Sequence, residues 1–235
     1  EYQQLYNKGK KLSPPNKWAA TLVFEHQYSC LTGNITSALI RMGYADDARV
    51  QGALKWLAKV QNRDGGWLCP YWKAHVRDKH GCFYGTICPM EAFSEATEHI
   101  LTDEMKQTIR RGAEFILMHH LFKANHHEYK VIHQAWLKLS FPPFFGYNIL
   151  RGLDVITRLG YIKDKRINDA LVILLRKRCS DGTWILDASP MSRMQANIER
   201  IGEPSKWVTM IALRVLKRLG LLDPESKKVV LTTSS

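Results

Sequence analysis

Apolar residues recur every three to four positions in six stretches of the chain: Ile35–Met42, Val50–Val60, Met105–Met118, Ile149–Leu159, Ile167–Leu175 and Val208–Leu219. That period lines apolar side chains along one face of a helix, so each stretch predicts an amphipathic helix. The two-residue alternation of a half-buried strand is scarce, and the predicted class is all-α. Gly43, Gly160 and Gly220 each follow an apolar stretch. Glycine there adopts the left-handed conformation that ends a helix at little steric cost.

The pattern repeats. Gly43-Tyr44-Ala45-Asp46-Asp47-Ala48-Arg49-Val50 resembles Gly160-Tyr161-Ile162-Lys163-Asp164-Lys165-Arg166-Ile167. Without a gap, Leu54 then matches Leu171, Leu57 matches Leu174, and Asp64-Gly65-Gly66-Trp67 matches Asp181-Gly182-Thr183-Trp184; the offset, from 43 to 160, is 117 residues throughout. Each unit reads as a helix ending at Gly-Tyr, an Asp-bearing turn, a second helix and a D-G-x-W turn. Two weaker copies fill in the rest: Cys82-Phe83-Tyr84-Gly85, which echoes Cys30-Leu31-Thr32-Gly33 at the start of a helix, and Glu203-Pro204-Ser205-Lys206-Trp207. About four helical hairpins result, the last incomplete, and such units bury their apolar faces only by stacking. Residues 1–16 read as an N-terminal extension, 17–221 as the repeat domain and 222–235 as a C-terminal tail. Ser140-Phe141-Pro142-Pro143-Phe144-Phe145 is an aromatic entry loop, because paired prolines cannot continue a helix.

Composition narrows the class. The 235 residues are 45% hydrophobic with seven Trp, which fits a globular domain and excludes collagen-like, low-complexity and disulfide-dense scaffolds. No apolar run reaches the roughly 18–20 residues of a membrane span, and the first residues lack the apolar centre of a signal peptide, so the expected location is cytoplasmic. The net charge of +12 favours an anionic partner, either a diphosphate-bearing molecule or an anionic membrane surface. Nucleic acid is disfavoured, since the basic residues are scattered apart from Arg176-Lys177-Arg178. Five cysteines, an odd number, argue against a complete disulfide framework.

Gln61-Asn62-Arg63-Asp64-Gly65-Gly66-Trp67 resembles the QW motif of squalene and oxidosqualene cyclases, and Arg178 to Trp184 is a second copy without the glutamine. With the hairpins, the region from Lys17 to Leu221 is similar to the terpene cyclase and protein prenyltransferase superfamily. The resemblance implies an α/α toroid of inner and outer helices, here incomplete, since six hairpins would need a longer chain. It also implies an apolar central cavity for an isoprenoid or other apolar ligand. Trp67 and Trp184 would tie one repeat to the next rather than act chemically. The aspartate segments with which squalene-type cyclases protonate an alkene, D-x-D-D or D-C-T-A, are absent. Asp46-Asp47, the nearest acidic pair, falls in a turn and is expected to cap a helix. A non-catalytic toroid that binds a peptide, lipid or protein partner is the alternative reading.

In that superfamily the prenyltransferases hold zinc through an Asp-x-Cys pair and a histidine, and His80-Gly81-Cys82 lies at a comparable place with histidine for aspartate. Cys82 and His80 are the catalytic candidates. Cys30, Cys69, His80 and Cys82 form a candidate tetrahedral zinc set, with His75 a substitute for His80. The competing reading makes Cys30 and Cys82 small buried thiols beside Gly33 and Gly85. Tyr147, Phe144, Phe145, Trp207 and Lys206 are the candidate cavity residues, joined at its mouth by Trp136 and Phe141. His119-His120 and His126-His127 read as a solvated run. Arg41, Arg49, Arg158 and Arg166, which recur in the repeat, read as hairpin-packing and surface-pairing residues.

Overall fold

The apolar stretches fold as helices whose ends are set by side chains the sequence places beside them. The computed structural model describes residues 28–68, 80–144, 146–189 and 196–222. Helix α1 spans Ser29–Arg41. Helix α2 spans Ala48–Lys59, and the carboxylate of Asp47 accepts the N–H of Arg49 at its start, 2.8 Å away. Helix α3 spans Phe83–Glu95, and α4 spans Asp103–Met118, capped by Thr102. Helix α5, Ile149–Arg158, is capped by Asn148; α6, Asn168–Arg176, follows a short 3-10 turn capped by Asp164; α7, Lys206–Arg218, is capped by Ser205. Each cap satisfies one of the N–H groups that a helix start leaves without an intrahelical acceptor.

The chain is mostly α-helical. Among the described residues there is one small sheet, Lys123–Ala124 antiparallel to Lys130–Val131, which pattern reading did not predict. Helices α1, α3, α5 and α7 pack side by side in sequence order, and each of the first three also packs on the helix that follows it. Three hairpins and a seventh helix thus form an inner row with α2, α4 and α6 behind it. The closest approach is between α1 and α3. A Cβ on Gly33 would lie 2.4 Å from the backbone at Cys88 and Pro89, so only glycine lets the two helices meet there. The extension, the start of the repeat domain at residue 17, the tail beyond residue 222, and Cys69, His75 and Phe145 lie outside the described residues.

The 117-residue offset (43 to 160) holds at the level of atoms. The Trp67 indole N–H donates to Leu57 O at 2.8 Å, and that of Trp184 donates to Leu174 O at 2.7 Å. Asp64 and Asp181 each accept the N–H two residues on, and Gly65 and Gly182 share φ values of +90° and +88°. Trp67 N–H and Trp184 N–H donate to Thr86 and Thr209, each in the first turn of the next inner helix. Where the second copy lacks glutamine, Arg178 donates to Gly182 O as Gln61 does to Gly65 O. Both indoles are fully buried, so the turns clamp each outer helix to the following inner one.

Candidate ligand-binding cavity

Each inner helix presents one polar stripe at helical spacing. These stripes carry Asn34 and Arg41 on α1; Glu91 and Glu95 on α3; Arg151, Asp154 and Arg158 on α5; and Trp207, Arg214 and Arg218 on α7. Because the inner helices stand side by side, the stripes converge on a cavity of about 480 Å³. Ser140 and Asn148 also line it, and the rest of its wall is apolar, with Phe141, Pro143, Leu150, Met210 and Ile211. Trp207 stacks on Phe141 with ring centroids 5.2 Å apart and planes within 6° of parallel.

At the centre, Glu91 and Arg151 are 7% and 6% exposed and joined by an ion pair. Every N–H of the Arg151 guanidinium is used: Nε and Nη2 on Glu91, Nη2 also on Asn34 Oδ1 at 2.8 Å, and Nη1 on the carbonyls of Phe144 and Gly146 at 2.9 and 2.7 Å. Arg151 therefore straps the Ser140–Tyr147 segment across the inner row. The other Glu91 oxygen accepts from Arg41 at 2.5 Å. Arg41 and Arg158 both pair with Glu95, while Arg158 and Arg218 pair with Asp154, each at 2.6 Å. Burial alone would raise the Glu91 carboxyl, but the Arg151 and Arg41 guanidiniums outweigh it and hold the group below the usual carboxylate range. Toward α7 the balance reverses. Burial raises Asp154 despite Arg218, and burial with the neighbouring Arg41, Arg218 and Arg214 lowers Arg158 to about 10. Both partners of that pair shift toward the neutral form, because burial disfavours the charged state of each.

A second cavity, about 520 Å³, lies on the α1 side and is lined by Leu31, Asn34, Ser37, Ala38 and Phe144. Arg41, Glu91, Pro143 and Arg151 belong to both cavities and form the partition between them. A third groove, about 600 Å³, lies along α7 and holds Lys206, Leu213 and Lys217. It shares Met210 and Arg214 with the main cavity and holds none of the paired charges of the buried ionic network.

The expected site residues are therefore separated. Trp207 and Phe144 line the cavities, Lys206 lines the outer groove, and Tyr147 lies in the core with its hydroxyl on Leu121 O at 2.6 Å. Cys82, the residue before α3, is buried, and Cys30 is buried in the first turn of α1. The His80 ring packs against Phe115, His119 and His126, and none of Cys30, His80 and Cys82 lines any of these three cavities. Among the described residues no group of three or more His, Cys, Asp or Glu side chains is arranged to hold a metal ion, and Cys69 lies outside them.

One expectation is corrected. His119 is not solvated: it is 2% exposed, with Nδ1 2.7 Å from Phe115 O, because the end of α4 turns its ring into the aromatic core. His120 pairs with Asp169. Arg41 and Arg158 pack between hairpins as expected, meeting on Glu95, but they do so at the cavity wall, whereas Arg49 and Arg166 line none of the three cavities. The residues that sequence reading missed are Glu91, Glu95, Arg151, Asp154, Arg214 and Arg218. The signal for the central pair was present: Glu91 and Arg151 interrupt the apolar runs Cys88-Pro89-Met90 and Ile149-Leu150 at positions facing other helices. No protein-family model, curated protein or solved structure matches this chain.

Proposed function

We propose that the chain is a ligand-binding protein of the α/α-toroid type. The cavity between α1, α3, α5 and α7 takes an amphipathic ligand with an isoprenoid or similar apolar body and a dianionic head. The observation that carries this reading is a count of charges. Five guanidiniums, Arg41, Arg151, Arg158, Arg214 and Arg218, line the main cavity with three carboxylates, Glu91, Glu95 and Asp154. Two positive charges are left over, and Arg214 forms no ion pair with a described residue. Guanidiniums bind phosphate oxygens through paired N–H groups, and a head bearing two negative charges completes the balance. The Phe141–Trp207 stack with Met210 and Ile211 supplies an apolar face for the body. The volume falls within the ~300–1,000 Å³ usual for small-molecule sites.

The described residues support binding. The zinc expectation at Cys30, Cys69, His80 and Cys82 is tested by metal analysis of purified protein.

Titration calorimetry with farnesyl diphosphate, farnesol and inorganic pyrophosphate tests the ligand class. The diphosphate is expected to bind at least ~10-fold tighter than either fragment, as joined head and tail contacts require. Arg214→Ala is expected to weaken the diphosphate and pyrophosphate but not farnesol. Absence of saturable binding by farnesyl diphosphate would refute the reading, as would binding that Arg214→Ala and Arg218→Ala leave unchanged.

A further inference from the structure

The groove along α7 is lined by Lys206, Met210, Leu213, Arg214 and Lys217, which recur at three- and four-residue spacing and so share one face of the helix. Pro204 and Leu222 add apolar surface, and Thr183, Ser205 and Thr209 add neutral polar atoms. From Lys206 to Lys217 the stripe runs ~16 Å at the rise of an α-helix.

The repeat shows what such a face meets elsewhere in the fold. The N–H groups of Trp67 and Trp184 donate to Thr86 on α3 and Thr209 on α7, which sets the two helices in register. In that register Phe83, Met90 and Ser94 correspond to Lys206, Leu213 and Lys217. Phe83 and Met90 pack on the outer helix α4: the Phe83 ring lies 5.6 Å from that of Phe115, and a Cβ on Gly112 would meet the Met90 sulfur at 2.4 Å. Among the described residues no helix follows α7, so the groove has the position that an outer helix fills on α3.

Its charge departs from the repeat. Lys206 and Lys217 stand where α3 carries Phe83 and Ser94, with Arg214 between them, and none of the three cations forms an ion pair with a described residue. Elsewhere such cations find carboxylates, as Arg49 finds Asp47 and Lys106 finds Glu98. No Asp or Glu among the described residues lines the groove. Glu199, at the start of α7, accepts the backbone N–H groups of Lys206 and Trp207 and the Ser205 hydroxyl.

We infer that this groove docks an amphipathic helix of a partner protein, whose apolar stripe covers Met210, Leu213 and Leu222 and whose carboxylates pair with Lys206, Arg214 and Lys217. Helices bind grooves through anchors at this spacing, and opposite charges select the partner. Met210, Leu213 and Leu222 are half-buried while Lys206 and Arg214 are exposed, so a flat bilayer meets the cations and misses the apolar residues between them. Lys206, Leu213 and Lys217 line neither of the other two cavities, which separates this surface from the ligand site.

The test is fluorescence anisotropy on the whole chain with three stapled helical peptides of ~12 residues, about three turns. One is acidic and amphipathic, with a leucine stripe flanked by glutamates; the second has lysine for each glutamate; the third is the first one scrambled. The acidic amphipathic peptide is expected to bind at least ~10-fold tighter than the other two. In a variant carrying Lys206→Glu and Lys217→Glu the preference between acidic and basic peptides reverses, a gain that misfolding does not produce. Equal binding of the acidic and scrambled peptides overturns the docking surface, as does a preference that the charge-reversed variant keeps. Phosphatidylserine vesicles, run beside phosphatidylcholine ones, expose a lipid surface: binding that the variant abolishes, without a peptide preference, overturns the helical partner. A dimer in sedimentation that the variant dissolves gives the groove to a second copy and overturns it equally.

Discussion

Replacing Arg151 by leucine tests whether the buried ionic centre organises the inner row. The substitution removes an ion pair to Glu91 and hydrogen bonds to Asn34, Phe144 O and Gly146 O. Breaking a buried pair by deleting one partner costs ~3–5 kcal/mol, mostly for the charge left behind. Glu91 keeps its bond to Arg41 at 2.5 Å, and the two strap carbonyls lie beside an open cavity, so the lower end, about 3 kcal/mol, is expected. Glu91→Leu strands Arg151 with neutral acceptors only and is expected to cost a similar ~3 kcal/mol. In the double variant neither charge remains, and the cost is expected to stay near ~3 kcal/mol rather than reach the sum, a coupling of ~3 kcal/mol. Urea unfolding of the four proteins gives all the terms. Single variants costing under ~1 kcal/mol, or a double variant that merely adds the two, would refute the argument. The pH dependence has a definite sign. Glu91 titrates lower in the folded chain than its ordinary 4.5, so its contribution is complete above that value and is lost as pH falls through the folded one. The Arg151→Leu variant should show a weaker loss of stability in acid than the wild type.

Trp67→Phe and Trp184→Phe each remove an indole bond to a buried carbonyl and should cost ~1–3 kcal/mol, within ~0.5 kcal/mol of each other, by urea denaturation; unequal costs would deny the repeat its equivalence. Gly33→Ala should cost ~3 kcal/mol or abolish folding, since its Cβ would meet the α3 backbone at 2.4 Å, whereas Gly52→Ala in open space on α2 should stabilise by ~0.5–1 kcal/mol in the same assay. His119 titrates below its ordinary 6.5, owing first to burial and then to His80 and His126 nearby. The unfolded chain therefore takes up that proton first, and stability falls as pH drops below 6.5; in His119→Gln the urea midpoint should vary less with pH across that range.

Much of the scaffold was legible because it is local. The helices over Val50–Val60, Met105–Met118 and Val208–Leu219 appear where their periodicity places them, and Asp47 caps as a turn aspartate should. The small sheet at Lys123–Val131 was not legible, since two-residue strands carry too little alternation to register. Nor was the burial of His119, which depends on Phe83 and Phe115 arriving from two different helices.

Taken alone, the sequence determined the helices, their glycine ends and the paired D-G-x-W turns. These follow from contacts among residues a few positions apart, and the 117-residue offset (43 to 160) repeats them down to the bond from each indole. Tertiary structure decided what the inner row encloses. Arg41, Glu91, Arg151 and Arg218 come from four helices far apart in the chain, and their pairing depends on how closely those helices stand, a spacing set by Gly33 against the α3 backbone. The family resemblance implied an apolar cavity. The packed inner row yields one lined by five guanidiniums and three carboxylates, because charged side chains at the seams between helices find partners only once the helices meet.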